Sequence, residues 1–153
     1  MNIRAYTQND LAAIFDIYSR SKLDELKFED KEFTLLPLEK DDVRLSGLME
    51  SEIYVYQEKG AIVGFGAVYV NEIRALFVLP EDRGKGVGKK LLECLLSHIK
   101  DQAFLYVAST NQPAKYLYQR YGFSVVDTFE TTYGQVPVVV QKMARITPVV
   151  SGV

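Results

Sequence analysis

Arg83-Gly84-Lys85-Gly86-Val87-Gly88 sets three glycines at alternating positions between an apolar run and the start of a helical pattern. Residue types in that order can do one kind of chemistry well. Glycine lets backbone approach a ligand closely, and the unpaired N–H groups of a first helical turn favour an anion. The run before the glycines, Ile73 to Leu79, reads as a strand buried on both faces. Pro80, Glu81 and Asp82 end it, after which Val87, Leu91, Leu92, Leu95, Leu96 and Ile99 repeat on one helical face, with Lys89 and Lys90 turned elsewhere. A strand, a glycine-rich elbow and a helix predict a pyrophosphate site. It is neither of two common kinds. A Walker A loop needs GxxxxGK[ST], and no Ser or Thr follows a Gly-Lys pair here. The dinucleotide fingerprint GxGxxG fails too, because the glycines stand at 84, 86 and 88 and no acidic residue closes a second strand at the expected distance.

The elements that must position this elbow follow from periodicity. Asn2 to Tyr6 alternates as a short first strand. Thr7 and Asp10 form a capping-box variant ahead of Leu11, Ile14, Phe15 and Tyr18, so 8–20 is a predicted amphipathic helix. Residues 21–50 are irregular: a short helix, a loop, then a helix near 38–50. Two strands, Glu52 to Gln57 and Ala61 to Val70, turn at Glu58-Lys59-Gly60 and lead through Asn71 into the strand at Glu72, an antiparallel meander. Gly64 and Gly66 inside the second strand mark a bend or a close backbone contact. Beyond the long helix, Ala103 to Ala108 is a strand parallel to the one at Glu72, since a helix joins them. Asn111 and Pro113 start a helix whose Ala114, Leu117, Tyr118 and Tyr121 share a face and which ends at Gly122. Phe123 to Phe129 and Val136 to Met143 are the last strands, joined by a loop around Thr132, Tyr133 and Gly134. The tail, 147–153, carries no pattern.

Bulk properties narrow the class. A chain of 153 residues, 48% apolar and 25% charged, has the makings of a globular domain. A net charge of −2 argues against a general nucleic-acid partner. No apolar run approaches membrane-spanning length and the start lacks a secretory core, so a cytoplasmic location is expected. Cys94 and His98 each stand alone in type; four apart on one helix without an acidic third ligand, they predict no metal site.

The order β-α-α-β-β-β-α-β-α-β-β, with two motifs set in it, resembles the GNAT superfamily of N-acetyltransferases. Its acetyl-CoA signature R/Q-x-x-G-x-G/A is met by Arg83, Gly86 and Gly88. A second pattern, N-x-x-A-x-x-x-Y-x-x-x-G-F, is filled by Asn111, Ala114, Tyr118, Gly122 and Phe123; it is similar to that of the ribosomal-protein N-terminal acetyltransferases. The resemblance covers nearly the whole chain. It implies an α/β (α+β mixed) fold with a strongly twisted mixed sheet of about seven strands and about four helices, in one domain over 1–146. It also implies direct transfer of an acetyl group from acetyl-CoA to a primary amine in a ternary complex, without a metal, by a monomer or homodimer. The acceptor is a small cationic amine or a protein N-terminus or lysine. The competing class is a non-catalytic acyl-CoA sensor on the same fold.

The resemblance assigns roles residue by residue. The backbone of Leu76, Phe77 and Val78 would hold the pantetheine arm, with an N–H near Val78 as oxyanion donor. Arg83, Gly84, Lys85, Gly86, Val87, Gly88 and Lys89 would surround the pyrophosphate. Tyr118 is expected to protonate the leaving sulfur, a role a phenol suits because it stays protonated at neutral pH; the alternative is a packing aromatic beside Tyr116 and Tyr121. Asn111 would contact the thioester side of CoA or serve as a helix-start residue. Glu72 is a candidate base, or a solvent-facing turn residue. The eight acids between Ser21 and Asp42 are a solvated face or a lid that attracts a cationic amine. Cys94 reads as core and His98 as surface.

Overall fold

The computed structural model describes residues 2–145; the expectation for 147–153 lies outside them. Seven strands form one sheet: β1 (Ile3–Ala5), β2 (Glu52–Glu58), β3 (Ala61–Tyr69), β4 (Glu72–Val78), β5 (Phe104–Ala108), β6 (Phe123–Tyr133) and β7 (Val136–Arg145), in the spatial order β1-β2-β3-β4-β5-β7-β6. Every neighbouring pair is antiparallel except β4 and β5. Four α-helices accompany them: α1 (Leu11–Ser21), α2 (Asp42–Met49), α3 (Val87–Ser97) and α4 (Gln112–Arg120). The element order and the mixed sheet are those the periodicity predicted.

The two faces of the sheet are set by alternation in β3. Gly64 and Gly66 face α3, and Phe65 faces the other way, where its ring lies 5.4 Å from that of Phe77, which in turn lies 5.4 Å from Tyr18 of α1. The glycines are there for closeness. A Cβ on Gly64 would stand 2.9 Å from the Phe77 carbonyl oxygen, and one on Gly66 would stand 2.8 Å from a Leu95 methyl. Leu91, Leu92 and Leu95 of α3 are fully buried on that side, and Ile14 and Ile17 of α1 on the other. No described helix is long and apolar enough to cross a membrane.

Several local expectations are corrected. The 8–20 helix begins with a 3-10 turn, Gln8–Asp10, closed by the Thr7 capping box. The 38–50 helix divides at Asp41, whose non-helical backbone (φ −103, ψ 87) lets its carboxylate accept the Arg44 N–H at the start of α2. β6 and β7 run on past the expected loop and meet at a tight turn through Gly134 and Gln135, both at positive φ. β4 is not buried on both faces along its length: Ala75, Leu76 and Val78 are only partly covered. The reason is its second edge, which forms the functional cleft.

Candidate active site

β4 and β5 pair at a single position, Glu72 opposite Phe104, and then part. Leu79 N–H donates to Val63 O at 2.9 Å across β3. By the alternation of an antiparallel ladder, the peptide groups of Leu76 and Val78 therefore face away from β3, toward the gap. The Val78 carbonyl is taken up there by the Ser21 hydroxyl at 3.3 Å and by Arg83 Nε at 3.1 Å. What remains is an open strand edge within a sheet, facing Tyr106, Val107 and Ala108 across a cleft of about 850 Å³. Such an edge can take an extended ligand that carries amide groups as though it were another strand.

The glycine elbow closes one end. Gly86 caps α3 in the left-handed conformation (φ 85), and a Cβ placed there would meet no other protein atom within 4 Å. Gly86 thus turns bare backbone toward the cleft, and the first-turn N–H groups of Val87, Gly88 and Lys89 have no intrahelical partner. This arrangement fits a pyrophosphate. Gly84, Gly86, Val87, Gly88 and Lys89 all line the cleft. Lys85 does not; its ammonium bonds Asp82 at 3.3 Å. Arg83 lines the cleft while its guanidinium bonds Asp24 at 2.7 Å, tying the elbow to the segment after α1.

Tyr118 of α4 lines the same cleft, with a side chain that is otherwise buried against Phe123. Burial holds its phenol protonated well above the ordinary tyrosine range, and the charge of Glu25 adds to the effect. Asn111 also lines the cleft, and its side chain makes no capping bond to α4, which leaves the amide free for a ligand. Cys94 is partly buried in α3 with its thiol pushed up by burial, and His98 is exposed, stacked on Tyr54. Neither reaches the cleft. Among the described residues no group of three His, Cys, Asp or Glu could hold a metal ion.

Glu72 is the expectation the geometry does not support. It sits at the closed end of β4, where the strands still touch. A bulge explains its direction: Ala67 lies opposite Ala75 and Val68 opposite Ile73, so Arg74 is an extra residue. The Arg74 guanidinium binds Glu72 Oε1 at 3.0 Å, Gly47 O at 2.9 Å and the Glu50 carboxylate, on the α2 side of the sheet. The Glu72 carboxylate is thereby held away from the cleft, whose lining does not include it.

The other end of the cleft was not foreseen. The segment after α1 folds into a 3-10 turn, Lys22–Leu26, and then crosses to the β6–β7 hairpin. There the Leu36 N–H donates to the Tyr133 hydroxyl at 3.0 Å and Lys31 Nζ to Pro137 O at 3.2 Å, and between β5 and α4 the Thr110 hydroxyl donates to Glu29 of the segment. Leu26, Tyr133 and Val138 are buried together beneath it. The segment's acids do not offer a free acidic face to the cleft. Asp24 is paired with Arg83, Glu25 with Lys22, and Asp41 with Arg44. The lining holds six cations (Lys22, Lys27, Arg44, Arg83, Lys89, Lys142) against three acids (Asp24, Glu25, Asp127).

Residues 49–125 match the family described as acetyltransferase (GNAT) domain. A peptidyl-lysine N-acetyltransferase of Escherichia coli K12 is 33% identical over 86 residues, 56% of this chain and 58% of that protein. Another curated relative is matched over 27% of its length, so the chain spans well under two thirds of both. Two solved structures share the fold at 21% identity. A ribosomal-protein-alanine N-acetyltransferase from Brucella melitensis has a TM-score of 0.72, covering 96% of this chain and 100% of that one. A GNAT superfamily phosphinothricin acetyltransferase from Sinorhizobium meliloti, in complex with acetyl-CoA, has a TM-score of 0.70 and covers 99% and 95%. With the splayed β4–β5 pair, the glycine elbow at Gly86 and a matching stretch that spans half its length, the chain belongs to the GNAT acetyltransferase family.

Proposed function

We propose that residues 1–146 form one acetyl-CoA-dependent N-acetyltransferase domain that acts on a primary amine. The observation that carries this reading is the open edge of β4 leading from the Gly86 elbow to Tyr118 within one cleft. The peptide groups of Leu76 and Val78 would hold the pantetheine arm along that edge; those of Phe77, expected to share the role, are turned toward β3 instead. Gly84, Gly86, Val87, Gly88 and Lys89 would hold the pyrophosphate, and Asn111 the thioester side. When bound, acetyl-CoA supplies an activated acetyl carbon to the amine nitrogen and releases a sulfur that needs a proton.

The chain's own groups do the rest. A Leu76 or Val78 N–H facing the gap is a donor for charge that develops on the thioester oxygen. Tyr118 keeps a proton at its phenol oxygen across the neutral range, ready for the departing thiolate. The 22–37 segment, tied to the β6–β7 hairpin, walls the far end of the cleft. Glu25, a carboxylate on the cleft wall, replaces Glu72 as the group placed to receive the amine. The acceptor is an amine of a small molecule or of a protein N-terminus or lysine.

The test is a CoA-release assay over amines, polyamines and peptides, with acetyl-CoA binding measured separately by thermal shift. Turnover with at least one acceptor, abolished in a folded and cofactor-loaded Tyr118→Phe variant, is the expected result. Tight acetyl-CoA binding without turnover on any acceptor would instead make the protein an acyl-CoA sensor.

A further inference from the structure

The end of the cleft beside the β6–β7 hairpin holds hydrogen-bond donors with few protein acceptors. Lys22 is the clearest case. Its side chain is only 16% exposed, yet among the described residues its ammonium bonds one acceptor, Glu25 Oε1 at 2.7 Å. An ammonium has three donors. The other directions look onto the rings of Tyr133, 5.6 Å away, and Tyr18, 5.9 Å away. The Tyr18 hydroxyl is itself buried without a partner. Arg44 adds a more exposed cation: its side chain is 42% exposed, it lies over the Tyr133 ring at 5.1 Å, and it gives one side-chain nitrogen to Asp41 at 2.9 Å, which leaves other donors of the guanidinium open to solvent or a ligand. Lys22, Arg44 and Glu25 all line the cleft, and Tyr18 lies behind them within the field of Tyr133, Arg44 and Glu25.

Buried donors left unmatched are costly, and structures retain them where a ligand completes them. A little-exposed ammonium and a guanidinium lining one cleft favour an anion. Glu25 beside them calls for the opposite charge. The spacing is short, because both functions sit on one turn, Lys22 and Glu25 being three residues apart. The end behind them is shut by the bond from Leu36 N–H to Tyr133 and by the buried Leu26, Tyr133 and Val138.

Resting on the acetyltransferase reading above, we propose that this end is the acceptor pocket for a small primary amine that also carries an anionic group, as a free amino acid does. Lys22 and Arg44, which line the cleft, take the anion, and Glu25 takes the amine. This pocket disfavours a polyamine, which brings a second cation to Lys22 and Arg44. It disfavours a polypeptide chain, which the clamp at Tyr133 would block.

The probes are free amino acids, each beside its own carboxamide, with spermidine and a short peptide as further acceptors. Acetyl-CoA stabilisation of the protein alone is measured first; its absence overturns the cofactor reading itself. Two readouts follow on the full chain: melting temperature of the CoA-loaded protein with each probe, and CoA release. Free acids should bind and react about 10–100-fold better than their carboxamides, the range for hydrogen bonds to a charged group. Lys22→Gln should erase most of that ratio in both readouts, and Lys22→Arg should retain part of it. Should wild-type protein treat acid and carboxamide alike, or prefer spermidine or the peptide, the anion pocket is wrong whatever the variants do.

Discussion

Glu72 and Phe104 face each other as the single paired position between β4 and β5, and the Phe104 N–H, bonded to Asn71 O at 3.0 Å, pins the two strands together at that end. The cleft lies on the other side of that pin, where the strands have separated. Two nearby carboxylates have opposite fates because of it. Glu72 is tied to Arg74 at the closed end, and Glu25 stands in the opening.

Glu72→Gln should therefore leave turnover within about threefold of wild type, the change being confined to a partly exposed ion pair. Glu25→Gln should lower kcat/KM by at least tenfold while acetyl-CoA binding holds. Steady-state kinetics of both variants, on whichever acceptor the wild type uses, decides between the two carboxylates.

Gly86 and Gly60 have nearly the same backbone (φ 85 and φ 82) and the same open space around an added Cβ. Gly60 lies in the β2–β3 turn, away from the cleft. Replacing either with valine should cost similar stability, since the strain at positive φ is shared. Only Gly86→Val should abolish stabilisation by acetyl-CoA, about 2.7 kcal/mol at a hundred times the dissociation constant. Thermal shifts of the pair with and without acetyl-CoA measure this; equal loss in both would place the pyrophosphate elsewhere.

Gly64→Ala and Gly66→Ala separate two kinds of crowding. The new methyl at Gly64 meets a backbone oxygen at 2.9 Å, and that at Gly66 meets the end of the Leu95 side chain at 2.8 Å. A rotamer can adjust more readily than a paired strand. Both should destabilise, by about 1–3 kcal/mol, with Gly64→Ala the worse in urea unfolding.

Tyr118→Phe removes a hydroxyl and keeps the ring that packs on Phe123. Turnover should fall by about 10²–10⁴, the usual contribution of a positioned acid. Acetyl-CoA affinity should change by less than about tenfold, since the cradle is backbone from β4 and α3. Wild-type kcat should show no alkaline loss near the ordinary tyrosine range, because burial raises this phenol beyond it.

Acid stability should report Asp10. Its carboxylate is held to about 2 by hydrogen bonds from Arg4, at 2.8 and 2.9 Å, and from the Thr7 N–H. A folded-state value below the unfolded one stabilises the protein above pH ~4 and is lost as pH falls from there toward 2. Wild type should lose on the order of 1 kcal/mol more across that window than Asp10→Asn, the half-exposed Arg4 limiting the effect. Parallel melting curves against pH for the two proteins would assign the acid sensitivity to other groups.

The sequence by itself determined the element order, the glycine elbow ahead of α3 and the inward face of α4, because each is a local pattern. Glycine spacing, a 3.6-residue period and a helix stop at Gly122 are written within a dozen residues. What only the tertiary structure decided depends on residues distant in the chain. The single Glu72–Phe104 bridge opens the cleft, and nothing in either strand alone shows where two parallel strands will part. The bulge at Arg74 turned Glu72 away, a one-residue register change that alternation in β4 could not reveal. The acid-rich stretch after α1 read as a solvated face or a lid, and folding divided it: Asp24 pairs with Arg83, Glu25 with Lys22 and Asp41 with Arg44, while Asp30, Glu32, Glu39 and Asp42 are exposed. Composition counts charges; only the packed chain sets which of them are paired, as Lys22 is with Glu25, and which polar groups, such as the Tyr18 hydroxyl, are buried without a partner among the described residues.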